Sequence, residues 1–166
     1  MKDLSDYRKS YEKYQLLENL IPEDPINLFH QWFCMAENND HISEANAMTI
    51  STIGIDGFPK ARVVLLKKYN EEGFIFYTNY DSEKGKSIAN NPNVCLSFFW
   101  HNLEKQVIIK GIAQKTDANV SDNYFASRPI GSQIGAIVSP QSSVIPNREF
   151  LENNLKKLEK SLENQE

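Results

Sequence analysis

The sequence predicts a mainly β protein with flanking helices, an α+β arrangement in which antiparallel strands form a small barrel. The first observation is that turn signals separate consecutive β-rich runs, at Asp56-Gly57, at residues 70–73 and at His101-Asn102. The second is that only one short predicted helix interrupts the runs, which disfavours a sheet built from βαβ units. The predicted strands cover residues 47–53, 61–69, 74–78, 94–100 and 106–113.

Helices are predicted on both sides of the strands. Residues 1–45 form a helical segment, with an opening helix over residues 6–17 and a second from Pro25 to about residue 38. Asp24 is a good N-cap and proline suits the first helical position. The second helix has a broad apolar face, so its aromatic residues are predicted to lie in the core.

The part of the chain after the strands is also predicted to be largely helical. A helix over residues 118–127 is followed by a glycine-rich loop at residues 130–133 and a final helix over residues 147–165. That last helix has one stripe of leucines spaced by four and three residues, and the stripe must pack on this domain or on a second subunit. Its members are Leu151, Leu155, Leu158 and Leu162.

Length and composition predict one domain over residues 1–166, in a protein with 40% hydrophobic residues and a net charge of −4. No apolar run reaches the roughly 20 residues that a membrane span needs, and the polar N-terminus lacks the features of a signal peptide. We therefore expect a cytoplasmic protein. The negative charge makes nucleic acid an unexpected partner, although a basic patch for one small phosphorylated ligand is compatible with it.

The cysteines and histidines do not predict a metal site. Cys34 and Cys95 form no CxxC pair and lie near no histidine cluster, so neither a disulfide framework nor a zinc site is expected. Both cysteines are predicted to be buried small hydrophobes. The three histidines have no triad or metal-ligand spacing.

One predicted strand carries two cations on opposite faces. Because strand side chains alternate, Arg62 and Leu66 share one face, while Val63, Leu65 and Lys67 share the other. The strand can serve two anionic groups or leave one cation solvated, and its own sequence does not choose. Further along, a short helix that starts after a serine exposes N-terminal amides that favour an anion.

Six segments in a fixed order resemble the pyridoxamine 5'-phosphate oxidase family. They are RVVLLK at 62–67, FYTN at 76–79, NNP at 90–92, LEKQV at 103–107, YFASRPIGSQIGA at 124–136 and SPQSS at 139–143. The resemblance covers nearly the whole chain. It implies a split β-barrel that binds FMN at a homodimer interface, with pyridoxamine or pyridoxine 5'-phosphate as the substrate.

The resemblance also implies which residues hold FMN. The arginine of the RVVLLK segment reaches the FMN phosphate, and the two glutamines can donate and accept hydrogen bonds at the flavin edge. A dianionic phosphate needs charge-assisted donors, which lysine, arginine and hydroxyl side chains supply. The implied FMN-binding residues are Arg62, Val63, Val64, Leu65, Leu66, Lys67, Tyr77, Thr78, Lys84, Gln106, Gln141 and Ser142.

By the same resemblance, Lys67, Tyr124, Arg128 and Ser132 bind the substrate phosphate. If residues 118–128 are helical, Tyr124 and Arg128 share a face. The N-terminal segment that covers the substrate in the family would contribute Arg8 and Tyr11. No catalytic residue is assigned, because the hydride chemistry belongs to the cofactor.

Two departures from the family pattern limit the resemblance. Glu83 stands where the family commonly has a basic residue near the FMN phosphate. It would repel the phosphate if it pointed inward, or it can face solvent. The family also continues beyond the final helix into strands and an Arg-Leu-His motif over the substrate ring, and no residue of this sequence inherits those roles.

The predicted activity is FMN-dependent oxidation of pyridoxamine or pyridoxine 5'-phosphate to pyridoxal 5'-phosphate, with O2 as acceptor and H2O2 as product. The alternative is a non-catalytic or weakly active protein that binds FMN or pyridoxal phosphate, which the missing Arg-Leu-His motif favours. A third hypothesis keeps FMN but changes the substrate, and the set of Tyr124, Arg128 and Ser132 argues against it.

Overall fold

The computed structural model describes residues 1–163, which contain five strands and five α-helices. The strands follow the order β3-β2-β1-β4-β5 in one sheet, and they confirm the predicted class of antiparallel strands with flanking helices. The strands are β1 (Ala47–Ile53), β2 (Pro59–Asn70), β3 (Gly73–Phe76), β4 (Asn93–Trp100) and β5 (Lys105–Ile112). The helices are α1 (Pro25–Glu37), α2 (Glu83–Asn90), α3 (Ala118–Ser127), α4 (Ile130–Val138) and α5 (Arg148–Glu163).

Strand β2 contains a bulge that its sequence did not reveal. It pairs antiparallel with β3, with Leu66 opposite Phe76, and the register shifts between Leu66 and Lys68. Leu66 is buried, whereas Lys67 and Lys68 are both exposed, so the alternation of faces breaks at this point. A bulge redirects side chains and is common beside functional sites.

The described chain divides into two compact units. Unit 1 comprises Met1–Ile50, Arg62–Phe76 and Leu96–Ile109, and unit 2 comprises Ser51–Ala61, Tyr77–Cys95 and the chain from Lys110 onward. The single domain that the sequence indicated stays a prediction.

The core of unit 1 is aromatic and centres on helix α1. The helix begins at Pro25 because the Asp24 carboxylate accepts a hydrogen bond from the N–H of Ile26 at 2.8 Å. Phe29 is 4% exposed and meets Phe74 and Phe98 edge to face, with ring centroids 5.0 and 5.2 Å apart. This geometry favours aromatic pairs, and it confirms that the α1 aromatics form core.

In unit 2, helix α4 packs on helix α5. Leu151, Leu155 and Leu158 are half-buried and Leu162 is 41% exposed, so the leucine stripe has a partner in its own chain. Helix α5 starts where the Asn147 side chain accepts the N–H of Phe150 at 2.9 Å. Residues 164 and 165 of the predicted helix lie outside the described residues.

Two predictions of local structure are wrong. Residues 6–17 are not helical, and only a 3-10 turn follows at Glu18–Leu20. Because residues 1–21 are all exposed, no apolar face packs there, and an isolated helix of this length is marginal in water. The loop predicted at residues 130–133 is instead the start of α4, since burial of Ile134 outweighs the helix-breaking tendency of the glycines.

Both cysteines are less buried than the sequence predicted. Cys34 and Cys95 are free but half-buried, because Cys34 borders exposed His30 on α1 and Cys95 lies on the less buried face of β4. Full burial was therefore the wrong prediction for both.

Within residues 1–163, no helix has the length and apolar character needed to cross a lipid bilayer. The same residues contain no group of three His, Cys, Asp or Glu side chains placed to hold a metal ion.

Candidate functional site

The loop before helix α2 is folded tightly by its own side chains. Ser82 is fully buried, its hydroxyl donates to the Asn79 carbonyl at 2.6 Å, and its oxygen accepts the N–H of Gly85 at 3.2 Å. The Asn79 side chain accepts the N–H of Asp81 at 2.8 Å. Asn and Ser favour such local bonds. The result is a fixed turn between Thr78 and the first turn of α2.

Two predicted FMN-binding residues meet beside this turn. The Lys84 ammonium donates to the Gln141 side-chain oxygen at 3.0 Å and lies 3.4 Å from the Ser82 hydroxyl. Ser142 follows Gln141 with a backbone φ of 64°, a left-handed conformation that is uncommon for serine. Strained backbone of this kind concentrates at functional sites. An ammonium and an amide are therefore in contact in unit 2, beside the Ser82 hydroxyl, and the ammonium is chemically suited to an anionic group.

A predicted cofactor residue and a predicted substrate residue stack on each other. The rings of Tyr77 and Tyr124 are nearly parallel, with an interplanar angle of 5° and centroids 3.7 Å apart. Tyr77 follows β3, and Tyr124 lies in α3. The stack fixes both rings, and it brings a predicted cofactor residue into contact with a predicted substrate residue within unit 2.

The other predicted phosphate ligands lie where α3 meets α4. Helix α3 ends at Ser127, and Arg128 has extended backbone, with φ −73° and ψ 149°. The expectation that Tyr124 and Arg128 share one helical face is therefore wrong, because Pro129 ends the helix before Arg128. The Arg128 carbonyl accepts the Gln133 amide at 2.8 Å, which fixes the corner, and Ser132 is exposed in the first turn of α4.

The predicted residues of β2 differ in exposure. Arg62, Val64 and Leu65 are half-buried, Leu66 is buried, and Val63 is 68% exposed. Because the alternation of faces breaks at the bulge between Leu66 and Lys68, the opposite-face arrangement of Arg62 and Lys67 stays a prediction.

The exposed Lys67 lines a cleft of about 800 Å3 in unit 1. The cleft lies between α1 residues such as Phe33, the chain at residues 42–46, and β2 residues 66–69. Gln106, the predicted flavin-edge residue of β5, is exposed and does not line it.

One carboxylate makes two of the hydrogen bonds that hold the N-terminal segment to the rest of unit 1. Glu104 accepts the backbone N–H groups of Lys13 and Glu12 at 2.9 and 2.8 Å, and these bonds hold the pKa of its carboxyl below the ordinary value. The ring of Tyr14 lies 4.2 Å from the ammonium of Lys105, which is 9% exposed and has a pKa lowered by burial. The points of attachment thus follow the predicted substrate residues Arg8 and Tyr11 directly in the sequence, and both of these side chains stay exposed.

Replacing Glu104 with Gln is expected to loosen this segment and to speed tryptic cleavage after Lys9 and Lys13 several-fold at neutral pH. Because the pKa of Glu104 is lowered on folding, the attachment is present above the ordinary carboxyl value of 4.5 and is lost as the pH falls through the folded value. Glu18→Gln, an exposed acid of the same segment, is the control. Equal cleavage of Glu104→Gln and wild type would contradict the assignment.

Sequence reasoning missed one ionic group at the site. Lys60, at the start of β2, makes ion pairs with Asp56 at 3.0 Å and with Glu83 of α2. The Asp56-Gly57 turn signal could have indicated the first pair, since it places both residues on one hairpin. The second pair joins residues 23 apart in the chain, and no local pattern predicts such a contact.

The greater part of this chain matches one known protein family. Residues 35–161 match the family model described as pyridoxamine 5'-phosphate oxidase. The chain belongs to the pyridoxamine 5'-phosphate oxidase family. A pyridoxine/pyridoxamine 5'-phosphate oxidase of Flavobacterium johnsoniae is 71% identical over 98% of this chain and 76% of that protein. The equivalent proteins of Flavobacterium psychrophilum and Leptospira interrogans are 68% and 48% identical, and the chain covers 74% and 76% of them.

Solved structures confirm the fold of this oxidase-family chain. PhzG from Burkholderia lata, solved with tetrahydrophenazine-1-carboxylic acid, has a TM-score of 0.80 and 23% identity over 89% of this chain and 74% of its own. A pyridoxamine 5'-phosphate oxidase-related, FMN-binding protein from Nostoc punctiforme has a TM-score of 0.60 and 14% identity, over 80% and 73%. The predicted split-barrel fold is thereby confirmed.

Proposed function

We propose that this oxidase-family chain is an FMN-dependent enzyme that oxidises pyridoxamine or pyridoxine 5'-phosphate to pyridoxal 5'-phosphate, with O2 as acceptor and H2O2 as product. With the amine substrate, water supplies the aldehyde oxygen and the nitrogen leaves as ammonia. The observation that carries the proposal is the 71% identity, over 98% of the chain, to a protein named for these two substrates. The oxidase activity of this chain and the residues of its FMN site are both proposed.

The residues of unit 2 suit the phosphate and ring of FMN. Lys84 supplies a positive charge, Ser142 and Thr78 supply hydroxyls, and the Gln141 amide can donate as well as accept. The proposed contribution of these groups is binding and orientation, and bound FMN would supply the two-electron oxidation. Arg62 and the rest of the RVVLLK strand, together with Tyr77 and Gln106, complete the proposed cofactor set.

For the substrate phosphate we propose Arg128, Ser132 and Tyr124, with Lys67 as the further cation. Arg128 and Ser132 lie in one five-residue stretch at the corner between α3 and α4. Stacking against Tyr77 fixes the ring of Tyr124. Rigid placement of such donors raises the fraction of bound substrate that is correctly oriented. Arg8 and Tyr11 are proposed to cover the substrate and to exclude water.

Arg128→Ala is expected to raise KM for pyridoxamine phosphate about 10- to 100-fold, the range for losing a charged hydrogen bond. The Kd of FMN should change less than about two-fold, because the proposed cofactor ligands are untouched. Arg148→Ala is the matched control, since Arg148 is 90% exposed and pairs with Glu152 on α5. Equal losses of FMN and substrate affinity would contradict the assignment of separate sites.

A product assay tests the proposed function. Purified protein is saturated with FMN and given each phosphorylated substrate in air, and pyridoxal phosphate, peroxide and oxygen uptake are followed together. The proposal expects equal amounts of the aldehyde, of peroxide and of oxygen consumed. The alternative, a protein that binds FMN or pyridoxal phosphate without turnover, expects binding of either ligand and no product.

We also propose a homodimer in the cytoplasm. Three apolar side chains stay exposed on strands of unit 1: Val63 at 68%, Phe99 at 55% and Ile108 at 59%. We propose that the second subunit covers these side chains. The free thiols of Cys34 and Cys95 are compatible with a reducing compartment. Light scattering that gives the mass of one chain at micromolar concentration would contradict the dimer.

A further inference from the structure

Glu83 places a carboxylate beside the cluster proposed to hold the FMN phosphate. It is the first residue of α2 and directly precedes Lys84, whose ammonium bonds Gln141. An unpaired carboxylate there would oppose a dianion. A feature of the same unit must therefore offset its charge if the phosphate is to bind.

The Lys60 ammonium provides part of that charge. It lies between Glu83 and Asp56, 3.0 Å from a carboxylate oxygen of Asp56 and in hydrogen-bond contact with Glu83. The hydrogen bond to Glu83, followed by that to Asp56, raises the pKa of Lys60. The lysine is therefore cationic throughout the physiological range, and Glu83 is engaged by it.

Contacts within the hairpin between β1 and β2 position the Lys60 side chain. Gly54 donates its N–H to the Phe58 carbonyl at 2.8 Å, and Phe58 donates its own N–H to Asp56 at 3.2 Å. A Cβ at Gly54 would lie 2.8 Å from Cε of Lys60, so the lysine passes directly over this glycine. Lys60 thus forms one ion pair with Asp56 within the hairpin and a second with Glu83 of α2.

We propose that Lys60 is a positioning residue for the cofactor: it holds Glu83 and offsets part of its charge, so that Lys84 and its neighbours can accept the FMN phosphate. This inference rests on the proposed FMN function. In this site the hairpin lysine partly compensates for the carboxylate at the start of α2. Lys60 acts through Glu83 and not by touching the phosphate.

The test is a double-mutant cycle read by FMN binding. Lys60→Met, Glu83→Gln and the double variant are titrated with FMN, and quenching of flavin fluorescence gives each Kd. Lys60→Met should weaken binding about 3- to 10-fold at about 0.01 M ionic strength, and less at about 1 M, where the Debye length is near 3 Å. Glu83→Gln should bind at least as tightly as wild type. The double variant should match Glu83→Gln within about two-fold.

Lys86→Met controls for the general loss of one positive charge, because Lys86 is exposed on the same helix. The inference is overturned if Lys60→Met binds FMN like wild type. It is equally overturned if Lys60→Met weakens binding as much in the Glu83→Gln background, since Lys60 would then act directly or through the fold. Wild-type protein that binds no FMN would instead overturn the proposed function, so the two failures are distinguishable.

Discussion

Replacing Gly85 with Ala is expected to abolish tight FMN binding and to lower the free energy of unfolding by about 1–3 kcal/mol, the range for overpacking a filled interior. Gly85 is buried in the first turn of α2, and a Cβ there would lie 2.6 Å from the carbonyl carbon of Tyr80 and 2.8 Å from the Asn79 carbonyl oxygen. Both are backbone atoms, so neither can swing aside. The turn after Thr78 must move, and Lys84 moves with it.

Gly135→Ala is the matched control for this substitution. Gly135 also lies in a helix, but no neighbouring atom stands within 4 Å of the place that a Cβ would occupy, so alanine should leave stability unchanged or raise it by about 0.5–1 kcal/mol. Chemical denaturation gives both free energies, and an FMN titration gives both affinities. A Gly85→Ala protein as stable as Gly135→Ala, with FMN affinity intact, would refute the close packing of this turn.

Lys84→Ala is expected to weaken FMN binding about 10- to 100-fold, because it removes the charged donor that we propose for the phosphate. The loss should be larger at low ionic strength, where the charge is least screened. Stability should change little, because Lys84 is only half-buried. Fluorescence titration with FMN and, separately, with riboflavin measures the effect and its dependence on the phosphate.

Lys86→Ala gives the comparison for Lys84, since it removes an exposed lysine from the same helix. It should change FMN affinity less than about two-fold, as distant surface charges do. If Lys84→Ala weakens riboflavin and FMN equally, the lysine does not serve the phosphate. If both lysine variants weaken FMN equally, only general charge attraction is at work.

Much of the fold could be predicted from the sequence because its signals are local. Asp24 and Pro25 mark the start of α1, and alternating side chains with short turns marked all five strands to within a few residues. The wrong predictions at residues 6–17 and 130–133 share one cause: helix formation at these lengths depends on packing. Residues 6–17 bury nothing and are not helical, whereas α4 is helical despite its glycines because it packs on α5.

The site could be predicted only as a set of residues, and these stay predictions. The family resemblance named Lys84 and Gln141, which the structure places 3.0 Å apart, and Tyr77 and Tyr124, which it stacks. Motifs do not reveal contacts between distant segments. The engagement of Glu83 by Lys60 therefore required the structure.

The central claim, that this chain moves electrons from a phosphorylated pyridoxine to FMN, is tested most directly without oxygen. Protein saturated with FMN is mixed anaerobically with pyridoxine 5'-phosphate while the visible flavin absorption is followed, and air is then admitted. We predict that the band bleaches in proportion to the pyridoxal phosphate formed and returns with air. An unchanged band on protein that demonstrably holds both FMN and the substrate would contradict the claim.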